Sequence, residues 1–109
     1  MATESSFTWK GAVIRVKALT IGDEEDVTAL MLRVPDVEAE GNTAGVYAFA
    51  EFNVAAEVDG DLNYPFVSAA SSDKEIDAAR AAWRALPRGF LHKWRAALRA
   101  TEDGSDDPK

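Results

Sequence analysis

Residues 72–100 of this chain, SDKEIDAARAAWRALPRGFLHKWRAALRA, decide its fold class. Ser72 and Glu75 form a Ser-x-x-Glu capping box, a pattern that starts helices. Apolar residues then recur every three or four positions, namely Ile76, Ala79, Trp83 and Leu86, followed by Phe90, Leu91, Trp94, Ala97 and Leu98. Pro87 interrupts this pattern because proline lacks a backbone N–H and clashes with the preceding turn. The stretch therefore predicts a helical hairpin or a kinked pair of helices with one face turned toward a core.

The N-terminal part has the alternating pattern of β-strands. Residues 7–9 and 12–18 are rich in aromatic and β-branched side chains, and Lys10-Gly11 lies between them as a two-residue turn. In the second segment alternate side chains are apolar and basic, so one face of the hairpin is expected in solvent. We therefore predict an N-terminal β-hairpin.

The central part is less uniform. Thr20 and Asp23 predict a helix start, and apolar side chains at helical spacing continue to Val34, before Pro35 ends the helix. Residues 46–58 fit either a helix or a strand, although their length and alanine content favour a largely buried helix. We expect a turn at residues 59–61.

These patterns together predict an α+β, helix-rich fold. An N-terminal β-hairpin packs on three to four α-helices in a single domain of residues 7–101. Residues 1–6 are expected to be a flexible N-terminus, and residues 102–109 are expected to be a disordered acidic tail.

Composition excludes several function classes. The 109 residues include one histidine and no cysteine, which rules out disulfides, thiolate zinc sites and cysteine nucleophiles. The net charge of -7 argues against nucleic acid as a partner. No signal peptide is visible, and the longest uncharged stretch, residues 41–50, is too short to span a membrane. We therefore expect a cytoplasmic protein that has no membrane partner.

The candidate catalytic and metal-binding groups do not form a recognisable site. The four acids at residues 23–26 point in different directions on a helix and cannot converge on one ion. Residues 59–63 begin like a calcium loop, but Tyr64 and Ala70 stand where that loop needs glycine and a final acid. His92 has no acid or nucleophile at a diagnostic spacing. We predict no enzyme, no cofactor and no metal site.

Charge is unevenly distributed along the chain. Residues 1–60 carry 4 basic and 11 acidic side chains, whereas residues 61–101 carry 7 basic and 4 acidic ones. Arginine side chains recur at helical spacing in the second segment, and His92 occupies one position of the same series, which is Arg80, Arg84, Arg88, His92, Arg95 and Arg99. This ridge is either a solvated face or a docking surface for an acidic partner. Tryptophan, arginine and phenylalanine are typical interface anchors, so we predict a partner-binding patch consisting of Trp83, Arg84, Phe90, Trp94 and Arg95.

Several short motifs occur in a characteristic order. They are VKALTIGDEE at residues 16–25, AAEVDG at residues 55–60, Pro65-Phe66, and ALPRGF at residues 85–90, followed by an amphipathic helix and an acidic tail. Over residues 7–101 this order resembles small tail assembly chaperones of long-tailed bacteriophages. The resemblance implies a non-catalytic protein of the host cytoplasm that binds the tape measure protein and keeps it soluble. It also implies that tail tube protein assembles around that complex.

Two alternatives stay open. The first is a small acidic interaction or regulatory module that binds a basic site on another protein through residues 23–26 and 36–40. The second is a small enzyme that uses the carboxylates of Asp59 and Asp61. Whether the chain forms a homo-oligomer is left open by the sequence.

Overall fold

A computed structural model describes residues 4–34 and 43–105 of the chain, with side chains up to residue 102. The elements, in chain order, are β1 (Glu4–Trp9), β2 (Ala12–Lys17), α1 (Ile21–Met31), α2 (Thr43–Ala55), β3 (Ala56–Gly60), α3 (Asp73–Arg84) and α4 (Arg88–Ser105). The α+β class is confirmed. The contacts divide the chain into two compact units. The sheet unit contains β1, β2, β3 and α4, and the helical unit contains α1, α2, α3 and residues 64–72.

The sheet is antiparallel with the strand order β1-β2-β3. β1 and β2 are joined by the predicted two-residue turn, in which Lys10 has φ 45° and Gly11 has φ 89°. Positive φ at both positions is the type I′ geometry, whose twist matches that of the flanking strands. Trp9 therefore pairs with Ala12 at the turn, and Glu4 pairs with Lys17 at the other end.

The two faces of the sheet differ in polarity, as the alternation predicts. Ile14 and Val16 of β2 are fully buried on the inner face, and α4 packs against β1 and β2. The Phe90 ring of α4 meets the rings of Phe7 and Trp9 edge-on, at centroid distances of 5.4 and 5.3 Å. Phe90 is 0% exposed, so this aromatic contact is the centre of the core of the sheet unit.

Both predicted helix starts in the helical unit are confirmed. Thr20 and Asp23 form a reciprocal capping box at the start of α1, and Ser72 and Glu75 form another at the start of α3. The predicted apolar stripes are the buried ones, with Val27 and Leu30 buried in α1 and Ile76, Ala79 and Trp83 buried in α3.

An aromatic cluster and one polar network fill the helical unit. The Phe52 ring of α2 contacts the rings of Tyr64, Phe66 and Trp83 at centroid distances of 5.0 to 5.3 Å. Beside it the Asn53 amide donates to the Tyr64 hydroxyl at 2.8 Å and accepts from the Val67 N–H at 3.1 Å. These bonds anchor the irregular segment after residue 63 to α2.

The ambiguous segment 46–58 contains both structures. α2 ends at Ala55, so the favoured helix is wrong for residues 56–58. β3 then runs to Gly60, through the first two of the three residues for which a turn was predicted. Val58 pairs with Ile14 and Ala56 pairs with Val16, so an edge of β2, far away in sequence, stabilises this strand. Local periodicity carries no signal for such a pairing.

Other predicted boundaries also shift. β1 begins at Glu4, inside the predicted flexible N-terminus, because residues 4–6 pair with β2. α1 ends at Met31 with Leu32 as its C-cap, and Pro35 lies outside the described residues. α4 continues to Ser105, so the first half of the predicted tail is helical, and residues 106–109 lie outside the described part of the chain.

Candidate functional site

The predicted partner-binding patch does not form a surface. Phe90 and Trp94 are 0% exposed and Trp83 is 8% exposed, so all three aromatic side chains belong to the core. Arg84 and Arg95 are exposed. Trp83 and Arg84 lie in the helical unit, whereas the other three residues lie in the sheet unit. The expectation that these aromatic residues anchor a partner is therefore corrected.

The reason for the burial is helical spacing. Trp83 stands seven residues after Ile76 and four after Ala79, on the buried stripe of α3, and its ring contacts Phe52. Trp94 stands four residues after Phe90 in α4, on the stripe that faces the sheet. Residue type alone favoured an interface, but position on the helix decides exposure.

The predicted cationic ridge is present on α4. Its side chains on this helix are exposed and follow the spacing i, i+4, i+7 and i+11, at Arg88, His92, Arg95 and Arg99. This line lies opposite the buried face of the helix. Of the remaining ridge positions, Arg84 is exposed on α3, and Arg80 is half-buried with its guanidinium 5.5 Å from the centre of the Phe49 ring. Arg80 therefore has a packing role in the helical unit.

Two of the four acidic side chains at the start of α1, those of Asp23 and Glu24, accept hydrogen bonds from other residues of the chain. Asp23 accepts a hydrogen bond from the backbone N–H of Thr20, and Glu24 accepts bonds from the Tyr47 hydroxyl at 2.9 and 3.1 Å. Glu25 and Asp26 are exposed. Residues 36–40, the second half of the predicted acidic surface, lie outside the described residues. Half of residues 23–26 thus stabilises the helical unit itself.

Tyr47 makes the stability of the helical unit sensitive to alkaline pH. Burial, and then the hydrogen bond to Glu24, raise the pKa of Tyr47 from 10.0 to about 12. Between these values the unfolded chain releases the tyrosine proton and the folded chain retains it, so stability falls as pH rises. We expect Tyr47→Phe to show a shallower loss of stability between about pH 10 and 12 in urea titrations. If the free energy of unfolding falls equally with pH in the wild type and in Tyr47→Phe, ionisation of Tyr47 does not contribute to the loss.

The carboxylate proposed for catalysis at Asp59 is engaged in an ion pair. Arg15, at the centre of the outer face of the sheet, donates to Glu57 at 2.8 Å and also to Asp59. These hydrogen bonds, with Asp59 first, raise the pKa of Arg15 above its ordinary value. Asp61 is exposed beyond the end of β3. The arrangement links β2 to β3 across the sheet and does not bring the two aspartates together with a nucleophile.

A surface that sequence reasoning missed lies on α1. Among the described residues, Ile21 is 83% exposed and Leu32 is 70% exposed, the two largest exposed fractions of any large apolar side chain. They are eleven residues apart, which is three helical turns and roughly 16 Å, so both point along one line of the helix. Glu25 and Thr28 lie between them on that line and are also exposed. We call these four residues the α1 surface.

The sequence did contain a signal for this surface. The predicted core stripe of α1 passes through Val27 and Leu30, and Ile21 and Leu32 fall outside that stripe on a helical wheel. An isolated exposed aliphatic residue is common on protein surfaces. Two that share one line of a helix can contact the same partner helix.

The described residues contain neither a metal-binding cluster nor a membrane-spanning helix. No group of three or more histidine, aspartate or glutamate side chains there is placed to hold a metal ion. In the same part of the chain, every helix is too short or too polar to cross a bilayer. No family model, curated protein or solved structure matches this chain.

Proposed function

We propose that this chain is a non-catalytic tail assembly chaperone of a long-tailed bacteriophage. It binds the tape measure protein in the host cell cytoplasm and keeps this protein soluble until tail tube protein surrounds it. The order of sequence motifs over residues 7–101 supports the family. The α1 surface, with Ile21 83% and Leu32 70% exposed, is the observation that supports binding of a helical partner.

The chemistry of the α1 surface specifies the partner segment. Two aliphatic side chains three turns apart can enter the groove of a helix that lies alongside α1. Glu25, between them, favours a partner with a basic residue at the corresponding position. The proposal therefore requires a helical segment of the tape measure protein that has apolar side chains at this spacing and a basic residue between them.

Co-expression tests the proposed function. The full chain is produced together with the tape measure protein encoded in the same genome, and the soluble fraction of that protein is measured. We expect most of the tape measure protein in the supernatant and a complex of both chains on gel filtration. Tape measure protein that stays in the pellet, as it does without the chain, would refute the proposal.

A double variant tests the α1 surface. Ile21→Glu with Leu32→Glu places charges where the apolar contacts are proposed and leaves the buried stripe of α1 unchanged. We expect binding of the tape measure protein to weaken at least about tenfold, which corresponds to roughly 1.4 kcal/mol. Pull-down of the tape measure protein at several chaperone concentrations measures this change.

The matched control adds the same two charges elsewhere in the helical unit. Ala78→Glu with Ala81→Glu alters two exposed positions of α3. The free energies of unfolding of both double variants should lie within about 0.5 kcal/mol of the wild-type value, because substitutions at exposed positions rarely change it more. If the two double variants bind the tape measure protein equally well, the binding site does not include the α1 surface.

A further inference from the structure

The outer edge of β1 is open. Among the described residues β1 pairs only with β2, on its other side. Because Trp9 and Ala12 flank a two-residue turn, the hydrogen-bonded pairs alternate from there along the hairpin. The N–H and C=O groups of Glu4, Ser6 and Thr8 consequently point away from β2. No strand among the described residues pairs with these groups, so they provide the hydrogen-bonding positions for an added strand.

Edge strands normally carry features that block further pairing, and the two edges of this sheet differ in that respect. β3 has Glu57 and Asp59 on one face and ends at Gly60 with φ 115°, so charge and twist protect it. β1 has six residues, no proline and no charge between Glu4 and Lys10. Its edge has none of the protection that β3 carries.

The outer face of the sheet has a groove over β1 and β2. An open groove of about 280 Å³ is lined by Glu4, Ser5, Ser6, Val13 and Arg15. Val13 is 39% exposed there, although it lies in the middle strand of the sheet. On the inner face Phe7 is only partly buried. An added strand would cover Phe7 further on the inner face, whereas its outer face would lie beside the polar side chains Glu4, Ser6 and Thr8 of β1.

We propose that a second copy of this chain pairs antiparallel with β1 along this edge, with Ser6 opposite Ser6 of the second copy. The two three-stranded sheets then form one continuous sheet of six strands around a twofold axis. This pairing involves the sheet unit, and it does not depend on the proposed chaperone function.

The sequence of β1 is complementary to itself in this register. Ser6 opposite Ser6 places two small side chains at the axis. Glu4 faces Thr8 of the second copy, so no like charges oppose each other. On the inner face Phe7 faces Ser5 of the second copy, a large side chain beside a small one. The same twofold pairing on β3 would place Glu57 opposite Asp59 and would be repulsive.

Charge predicts how salt affects the pairing. Each chain carries a net charge of -7, so two copies repel each other at long range. Added salt screens this repulsion and leaves the backbone hydrogen bonds intact. The dimer should therefore strengthen, or stay unchanged, when the salt concentration is raised.

Disulfide trapping tests the register directly, because the natural chain has no cysteine. In the proposed pairing the two Ser6 Cα atoms are about 5.5 Å apart, which a disulfide can bridge. The two Thr8 Cα atoms are offset by four residues, roughly 13 Å along the strand, and cannot be bridged. We expect oxidised Ser6→Cys to form a covalent dimer and Thr8→Cys to form at most about a tenth as much. Equal yields from the two variants would overturn the register.

Sedimentation of the unmodified chain tests the dimer itself. Ser6→Pro removes an N–H that points outward, so the β1–β2 bonds remain while strand addition is blocked. We expect a wild-type dimer at roughly 100 µM and at least a tenfold higher dissociation constant for Ser6→Pro. Ser6→Lys, which puts like charges at the axis, should weaken the dimer similarly and replaces Ser6→Pro if circular dichroism shows that the proline variant is unfolded. A monomeric wild type, or a folded variant that dimerises like the wild type, would overturn the proposal.

Discussion

Replacement of Phe90 by alanine is expected to lower the free energy of unfolding by about 3–5 kcal/mol. Phe90 is 0% exposed, and its ring contacts both Phe7 and Trp9 of β1. Truncation removes the contacts through which α4 holds the hairpin and leaves a cavity between them. Urea unfolding followed by circular dichroism measures this loss.

Arg95→Ala is the control, because Arg95 belonged to the same predicted patch and is exposed. Its free energy of unfolding should stay within about 0.5 kcal/mol of the wild type. If Phe90→Ala were as stable as the wild type, the ring would not be a core residue. An interface role for Phe90 would then be possible again.

Gly60→Ala is expected to lower the free energy of unfolding by about 3 kcal/mol or more. Gly60 has φ 115°, a conformation that residues with a side chain rarely adopt. An added Cβ would also lie 2.5 Å from the Gly11 carbonyl oxygen and 2.9 Å from the Ala12 Cα, both backbone atoms of the neighbouring hairpin. Since neither can rotate away, β3 would have to separate from β2.

Gly11→Ala separates the two causes of this loss. Gly11 also has a positive φ, 89°, but an added Cβ there meets only the Asp61 side chain at 3.4 Å. Gly11→Ala should therefore lower the free energy of unfolding only by the backbone strain, about 1–2 kcal/mol. Thermal unfolding of both variants provides the comparison. Similar losses would mean that the close backbone contact at Gly60 is relieved by movement of the strand.

Local signals in the sequence predicted the elements that depend on nearby residues. The two capping boxes, at Thr20 and Ser72, require partners only three residues away, and both are present. The turn at Lys10-Gly11 is also local, because the type I′ geometry follows from the two residues and their flanking strands. These local features therefore predict the hairpin turn and the helix starts without knowledge of tertiary contacts.

Features that depend on distant residues were not predictable in this way. β3 pairs with β2, which lies forty or more residues earlier, and its own sequence is typical of the end of a helix and a turn. The aromatic residues were assigned to an interface by type, although the buried stripes of α3 and α4 include them. The exposure of Ile21 and Leu32, by contrast, follows from the local core stripe through Val27 and Leu30, which places both residues on the opposite side of α1.

If the α1 surface binds the tape measure protein, α1 must be covered in the complex. Hydrogen exchange of backbone amides, measured on the free chain and on its complex with the tape measure protein, shows which described segments are covered. We predict added protection in α1, between Ile21 and Leu32, and unchanged exchange along the exposed residues of α4. Protection of α4 without α1, or no change in either helix, would contradict the claim that the α1 surface binds the partner.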